Sequence, residues 1–405
     1  MENSLTNLID RVRSAAASGT PLRIRGGGSK DFYGHALVGE PLDVAGHAGI
    51  VSYEPSELVI TAKAGTPLVE IEAALAEKGQ CLPFEPPHYG ADMRLESPAQ
   101  QQDGGSNGKL RSTVGGMVAA GLSGPSRASV GAVRDYVLGV ELLNGQGEAL
   151  RFGGTVMKNV AGYDVSRLMA GSWGTLGVLT EVSLKVLPVA PAEATLVFEM
   201  SQAKALEQLN HWGGDPLPLN ASCWVNETLG AEKRELLFVR LRGAVAAVQA
   251  ASARMLAQCG GLAVDNAKAQ PDWALRRNLH SPFFAEKMRQ WASNGATTAQ
   301  TAQSLWRISL PQTAPPLDLP HAQCIEWHGA QRWLWAEAGD APSIHAAAQA
   351  ANGYATCFIA NNDHMTLTLN KFSQISPSVM HVHRQLKAQL DPADIFNRNR
   401  LFSEF

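Results

Sequence analysis

Residues 23–30 read RIRGGGSK: a strand-like stretch runs into three consecutive glycines and leaves through serine and lysine. Glycine has no Cβ and costs conformational entropy on folding. Such a run therefore marks either a flexible turn or a cradle of backbone N–H groups around an anion. The eight residues alone leave both readings open.

Glycine concentrates twice more, in STVGGMVAAGLSGPSRASVGAVRDYVLG (residues 112–139) and RFGGTVMKNVAGYDVSRLMAGSWGTLGVLTEVSLKV (residues 151–186). Three such turns, each beside a strand or a helix start, favour an extended anionic cofactor with two phosphates over a simple loop. A Walker loop is excluded, because no second hydroxyl follows Lys30. A dinucleotide fingerprint of the G-x-G-x-x-G kind is excluded too, because the third glycine is misplaced and no helix follows.

The surrounding chain orders the elements. Residues 4–17 read as a helix, and IVSYEPSELVITAKAG as two strands around a Pro-Ser turn. TPLVEIEAALAEKGQ reads as a helix with Thr66 as cap, Pro67 in its first turn, one face of Leu68, Ile71, Ala74 and Leu75, and Gly79 at its end. YVLGVELLNGQGEALRF is a hairpin turning at Asn144–Gly147. The strand GVLTEVSLKVLP closes on Pro188–Pro191, where the boundary between residues 1–190 and 191–405 is placed. The second unit reads as an α+β domain: an antiparallel sheet with helices on one face, extended by SLWRISL, the hairpin CIEWHGAQRWLWAE and strands at YATCFI and HMTLTL. A last helix, residues 378–390, leads into DPADIFNRNRLF.

Composition narrows the function class. The 405 residues are 45% hydrophobic and 18% charged with a formal net charge of -3, and the basic residues are dispersed. A nucleic-acid partner is not expected. No apolar run approaches the roughly 20 residues needed to cross a bilayer, and the chain is read as cytoplasmic. Five scattered cysteines without a CxxC pair exclude the usual zinc and iron–sulfur spacings and are read as buried thiols; no metal is expected.

Taken in order, RGGG, LPFEPPHYG, TVGGMVAAGLSGP, VRDYVLGVELLNGQGE and GSWGTLGVLTEVSLKV resemble the FAD-binding domain of the p-cresol methylhydroxylase (vanillyl-alcohol oxidase) type over residues 21–188. With EWHGAQRWLW and DPADIFNRNRLF the chain resembles the FAD-binding subunits of bacterial glycolate oxidases. The resemblance implies a two-lobed α+β FAD domain followed by a cap domain whose C-terminal tail returns to the first. It implies that Arg25, Gly26, Gly27, Gly28, Ser29 and Lys30 hold the FAD pyrophosphate and that Pro86 and Pro87 lie near the flavin. Gly115, Gly116, Ser123 and Gly124 would line its second side, Gly131 and Asp135 would shape the next turn, and Gly177 and Val178 would hold adenosine or ring edges. Each has a bland counterpart: Pro86–Pro87 as a stiff turn, Gly177 as tight packing, Asp135 as a cap or turn residue, and Lys158, Tyr163 and Asp164 as a hydrogen-bonded brace.

Some relatives attach FAD through a histidine after the glycines; Ser29 stands there, so non-covalent FAD is expected. Residues 91–111 exceed the family pattern. The E-H-G-x-G motif of related hydroxy-acid dehydrogenases is absent, and His321 and His328 lack carboxylates at metal-like sequence spacing. Arg127, His328 and Arg332 are the candidates for facing the flavin. The implied partners are a larger FAD subunit bearing the fuller hydroxy-acid site and an iron–sulfur subunit, the complex lying in the cytoplasm or peripherally at the inner membrane. The substrate would be glycolate or a close D-2-hydroxy acid. Two alternatives remain beside this: an FAD-binding scaffold without catalysis of its own, and an enol-ether reductase, which the GYD and EWHGAQRWLW matches disfavour.

Overall fold

The computed structural model describes residues 2–36, 38–89, 111–154, 164–229, 232–294, 303–361 and 370–402. Lys158, Tyr163, most of the 91–111 stretch and the strand expected at HMTLTL lie outside them.

The first lobe comprises α1 (Glu2–Ser18), β1 (Leu22–Arg25), β2 (Glu40–Asp43), β3 (Ile50–Glu54), β4 (Val59–Lys63), α2 (Leu68–Ala76), β5 (Gln80–Cys81), α3 (Val114–Ala120), α4 (Arg127–Val130), β6 (Val137–Leu143), β7 (Ala149–Gly153), α5 (Val165–Leu168), β8 (Val178–Lys185) and β9 (Leu187–Pro188). Strands β1 and β2 pair in parallel, β5 pairs with β9, and an antiparallel sheet runs β3-β4-β8-β6-β7. Its core takes Leu8 and Val12 from α1, Leu68, Ile71 and Leu75 from α2, and Val114, Met117 and Val118 from α3. Each such side chain contributes roughly 1.5–3 kcal/mol by leaving water.

The face expected for α2 is the one buried, but its start differs from the reading. Pro67 is the N-cap, and the Thr66 hydroxyl donates to the Lys63 and Gly49 carbonyls instead of capping the helix. A local strand-end turn outcompetes the cap. The hairpin turn is held as expected: Asn144 Oδ1 accepts from the N–H groups of Gln146 and Glu148, and Gly147 takes φ +73.

The second lobe comprises β10 (Ala192–Glu199), α6 (Gln202–Gly213), β11 (Leu219–Leu229), β12 (Glu232–Gly243), α7 (Val245–Cys259), β13 (Leu262–Val264), α8 (Asn266–Arg277), α9 (Pro282–Asn294), β14 (Ser304–Ser309), β15 (Gln323–Glu326), β16 (Gln331–Ala336), α10 (Ala341–Ala350), β17 (Tyr354–Ile359) and α11 (Pro377–Leu390). An antiparallel sheet of eight strands runs β13-β10-β12-β11-β15-β16-β14-β17. Period-two alternation sorts its side chains. Trp224, Leu237 and Val239 meet α6 and α7, and Trp306, Ile308 and Leu334 meet α10. Cys223, Leu305, Trp333 and Phe358 turn to the opposite face, against Tyr33, Tyr89 and Leu122 of the first lobe. The expectation of helices on one face needs correction: α8 and α9 cover part of that opposite face through Trp273 and Phe284. Pro271 inside α8 hid this helix from sequence reading.

Two devices join the lobes. Glu85 accepts from Arg240 Nη2 at 2.7 Å and from Arg242 Nη1 at 3.2 Å. Burial pushes the Glu85 carboxyl up, but the two guanidinium groups outweigh it and hold the group below its ordinary value. After α11 the chain returns to β1: Leu22 N–H donates to the Ile395 carbonyl, Asn397 N–H donates to the Leu22 carbonyl, and Asn397 Oδ1 accepts from Ile24 N–H. Buried Lys387 clamps this return by donating to the Thr175 and Phe396 carbonyls and to Asp391 Oδ2 at 2.8 Å.

Candidate functional site

The glycines of RIRGGGSK are fixed first by chain that crosses them. A Cβ on Gly27 would lie 1.6 Å from the Arg111 carbonyl oxygen, and one on Gly26 would lie 2.4 Å from Thr113 Oγ1. Gly28 bridges Arg111 in parallel with φ +69. The bareness read as room for phosphates is thus already demanded by this crossing. Gly115 behaves likewise, its Cβ falling 2.6 Å from that of Ala64. Gly116 differs: the nearest atom is Thr113 Oγ1 at 3.1 Å, and the residue borders a cavity.

That cavity encloses about 760 Å³, counted with its solvent-open mouth. Residues 25–31, Gly115, Gly116, Ala119, Ala120, Trp173, Gly174, Gly177, Asn397 and Arg400 line it. Its cations are poorly compensated. Lys30 is buried, which lowers its ammonium to about 8, and among the described residues its Nζ hydrogen-bonds only to the hydroxyls of Ser29 and Ser112, each at 3.3 Å. Arg400, lowered to about 10 by burial that the Asp31 carboxylate only partly offsets, donates to the Lys30 carbonyl at 2.9 Å, while its Nε is buried without a hydrogen-bond partner among the described residues. Arg25 pairs with Asp31 at 2.9 Å. A wall of this kind holds buried positive charge that an anion would complete.

The structure brings Arg25, Gly26, Gly27, Gly28, Ser29, Lys30, Gly115, Gly116 and Gly177 to this cavity, and it places the other singled-out residues elsewhere. Pro87 gives its carbonyl to Ser112 Oγ at 3.5 Å, following buried Pro86. Ser123 and Gly124 line a second, smaller cleft between the lobes. Asp135 Oδ2 accepts from Ala132 N–H in a turn where Gly131 takes φ +99, and Val178 is buried in β8 beside Leu143. A Cβ on Gly177 would also strike Leu142 at 2.7 Å, so tight packing and the cavity share that glycine. Asp164 caps α5.

None of the three flavin-facing candidates lines the large cavity. Arg127 sits over the Trp327 ring at 4.5 Å. His328 is held between Ser129 Oγ and Ser222 Oγ, and burial lowers it to about 4. Arg332 is fully buried and donates to the Ala314 and Pro315 carbonyls. The β16 pleat turns Arg332 toward the helices, and its neighbours Gln331 and Trp333 line the small cleft instead. His321 does find a carboxylate, Asp340 at 3.0 Å, from 19 residues along the chain. No cluster of three or more metal-ligating side chains occurs among the described residues.

Asn397, Arg400 and Trp173 were missed at the sequence level. For Asn397 and Arg400 the signal was the DPADIFNRNRLF tail, and for Trp173 the GSWGTLG turn, both noted there without roles for these residues.

Over 397 residues the chain is 43% identical to the glycolate oxidase subunit GlcE of Escherichia coli (strain K12), spanning 98% of this chain and 97% of that protein. The chain belongs to the GlcE family of glycolate oxidase subunits. Residues 3–92 match the model of an FAD binding domain. Similarity to larger proteins is local: 31% identity over 148 residues to the glycolate oxidase subunit GlcD of Bacillus subtilis (strain 168), and 30% over 148 residues to a D-lactate dehydrogenase of Anaerostipes hadrus. Each match covers 36% of this chain and 27% of the relative. Among solved structures, alkyldihydroxyacetonephosphate synthase superposes with a TM-score of 0.59 over 96% of this chain and 74% of that one; at 14% identity this bears on fold alone.

This GlcE-family chain is a subunit of a flavin oxidoreductase, and its cofactor is FAD. The large cavity fits an anionic dinucleotide: among the described residues the buried Lys30 ammonium faces no carboxylate, Arg400 keeps a buried Nε without a hydrogen-bond partner, and Gly116 leaves the wall bare. No helix among the described residues is long and apolar enough to cross a membrane.

Proposed function

We propose that this chain is the FAD-binding subunit of a glycolate (D-2-hydroxy acid) oxidase or dehydrogenase complex. It supports the oxidation of glycolate to glyoxylate and passes electrons to an iron–sulfur partner beside a larger FAD subunit. The observation that carries this reading is the agreement between end-to-end similarity to GlcE and a cavity walled by the RIRGGGSK loop, with buried Lys30 and Arg400 on it. FAD held there supplies the acceptor for the two electrons released when a hydroxy carbon becomes a carbonyl.

The chain's own residues divide the remaining work. The N–H groups of residues 26–29, with Lys30 and Arg400, neutralise and orient the diphosphate; Gly116 and Ala119 allow close approach; Asn397 and Gly177 fix the far wall. Attachment is non-covalent, because Ser29 stands in the loop and its hydroxyl is engaged with Ser112.

The scaffold reading has its own support: His328 and Arg332 are tied to serines and backbone carbonyls, away from the cavity. Anaerobic addition of glycolate to the purified chain, then to the assembled complex, separates the two. Bleaching of the flavin in the isolated chain is the expected result. A flavin that bleaches only in the complex favours the scaffold, and a colourless protein refutes both.

A further inference from the structure

The second lobe holds a cavity of its own. It lies between β10, β12 and β13 on one side and α8 with the start of α9 on the other, and it shares no lining residue with the large cavity. About 140 Å³ of it is reachable by the centre of a water molecule, against about 100 Å³ in the large cavity. Close-packed interiors hold few voids larger than one water, and an apolar cavity of about 150 Å³ takes up benzene.

We propose that this cavity binds a small uncharged aromatic alcohol of the phenol class, its ring among Phe238, Val264, Trp273 and Pro282 and its hydroxyl on Ser281. The site goes beyond the oxidase reading and stands without it.

Two sequence periods build the walls. Strand alternation turns Thr195 of β10, Phe238 of β12 and Val264 of β13 to one face of the sheet. Ala269, Trp273 and Arg276 follow at i, i+4 and i+7 along the buried face of α8. Two small side chains in the lining, Ala269 and Ser281, leave the room.

The interior polar groups are engaged, with one exception. Trp273 Nε1 donates to Thr195 Oγ1 at 3.0 Å. Arg276, which also lines the small cleft, gives Nη1 to Cys223 Sγ and lays its guanidinium over the Phe238 ring at 5.1 Å, so it serves as wall. Ser281 is the exception: it is 3% exposed, and its hydroxyl has no hydrogen-bond partner among the described residues.

The position of that serine sharpens the point. Its carbonyl accepts from the N–H groups of Phe284 and Ala285, which makes Ser281 the N-cap of α9, with Pro282 first in the helix. A serine there ordinarily turns its hydroxyl onto an N–H two or three residues on, satisfying both groups. Here the hydroxyl forgoes the cap and stays buried beside the cavity, where a ligand oxygen would complete it. Charge agrees with a neutral guest, because the lining carries one arginine and one aspartate, Asp272, whose formal charges cancel.

The test uses the full chain as purified. 3-Fluorophenol is titrated and followed by fluorine NMR, with fluorobenzene and fluorobenzoate as comparisons. The phenol should bind with a dissociation constant of about 1 mM or below, within reach of a ligand of its size, and the benzoate roughly tenfold or more weakly. Ser281→Ala should weaken the phenol roughly two- to tenfold, the share of one hydrogen bond, and leave fluorobenzene unchanged. Its unfolding temperature should not fall, since the hydroxyl caps nothing. Ala269→Phe should fill the space and remove both ligands. No saturable phenol binding, benzoate binding as tight as phenol, equal losses of phenol and fluorobenzene in Ser281→Ala, or phenol retained by a folded Ala269→Phe would each overturn the proposal and leave the oxidase reading untouched. If Ala269→Phe does not fold, the Ser281→Ala comparison decides alone. The titration needs no flavin, so a colourless chain would refute the oxidase reading while testing this cavity equally.

Discussion

Gly27 and Gly116 are both bare and both border the large cavity, but substitution at the two should fail in different ways. In Gly27→Ala the new methyl lands 1.6 Å from the Arg111 carbonyl oxygen, inside bonding distance of backbone that has no rotamer to retreat into. The crossing of residues 111–113 over the loop must separate, a cost of about 3 kcal/mol or more before any cofactor is added. In Gly116→Ala the methyl meets only Thr113 Oγ1 at 3.1 Å and otherwise enters the cavity. The residue is inside α3, so alanine gains about 0.5–1 kcal/mol of helix propensity, which offsets crowding of the capping hydroxyl. Apo stability should stay within about 1 kcal/mol of wild type. A methyl intruding on a fitted ligand costs about 1–3 kcal/mol, or roughly 5- to 150-fold in Kd. The assay pairs thermal unfolding of both apo variants with titration of FAD by flavin fluorescence. Wild-type FAD affinity in Gly116→Ala would refute the assignment of that wall to the cofactor; an undisturbed apo Gly27→Ala would refute the clash.

Lys30 predicts a pH signature. Its ammonium sits at about 8 in the protein without FAD, and a bound diphosphate favours the charged form, so FAD binding takes up a proton above that value. Affinity should be full below pH 8 and fall as pH rises through it, by up to about tenfold per unit; Lys30→Met should bind more weakly at pH 7 with no such slope in calorimetric titrations. At the lobe junction, Glu85→Gln strands Arg240, which is 2% exposed. A loss of about 3–5 kcal/mol is expected, read as a lower unfolding temperature and faster proteolysis between the lobes, with partial recovery on adding Arg240→Met; an unchanged midpoint would reduce the pair to a surface contact.

Local pattern carried most of the fold. The α2 face, the Asn144 turn and the apolar strands of the second lobe announce themselves through periods of 3.6 and 2 and through turn chemistry. What escaped depends on long-range contact. Gly27 looks the same in sequence whether a ligand or the Arg111 backbone crosses it, and only the fold shows that the backbone does. Arg332 was singled out where Gln331 is on the cleft side, because one step along a strand reverses the face.

The return of residues 391–400 to β1 has a consequence for biosynthesis. Ile24 receives Asn397 across 373 positions of sequence. At about 5–20 residues per second, a ribosome needs roughly 20–75 s to make the intervening chain. Throughout that interval β1 and the glycine loop are already made but lack Arg400 and the partner for Leu22. With FAD in the proposed cavity, competence to take up flavin is deferred to the end of translation, and a chain terminated before Asn397 should carry its glycines without becoming a flavoprotein.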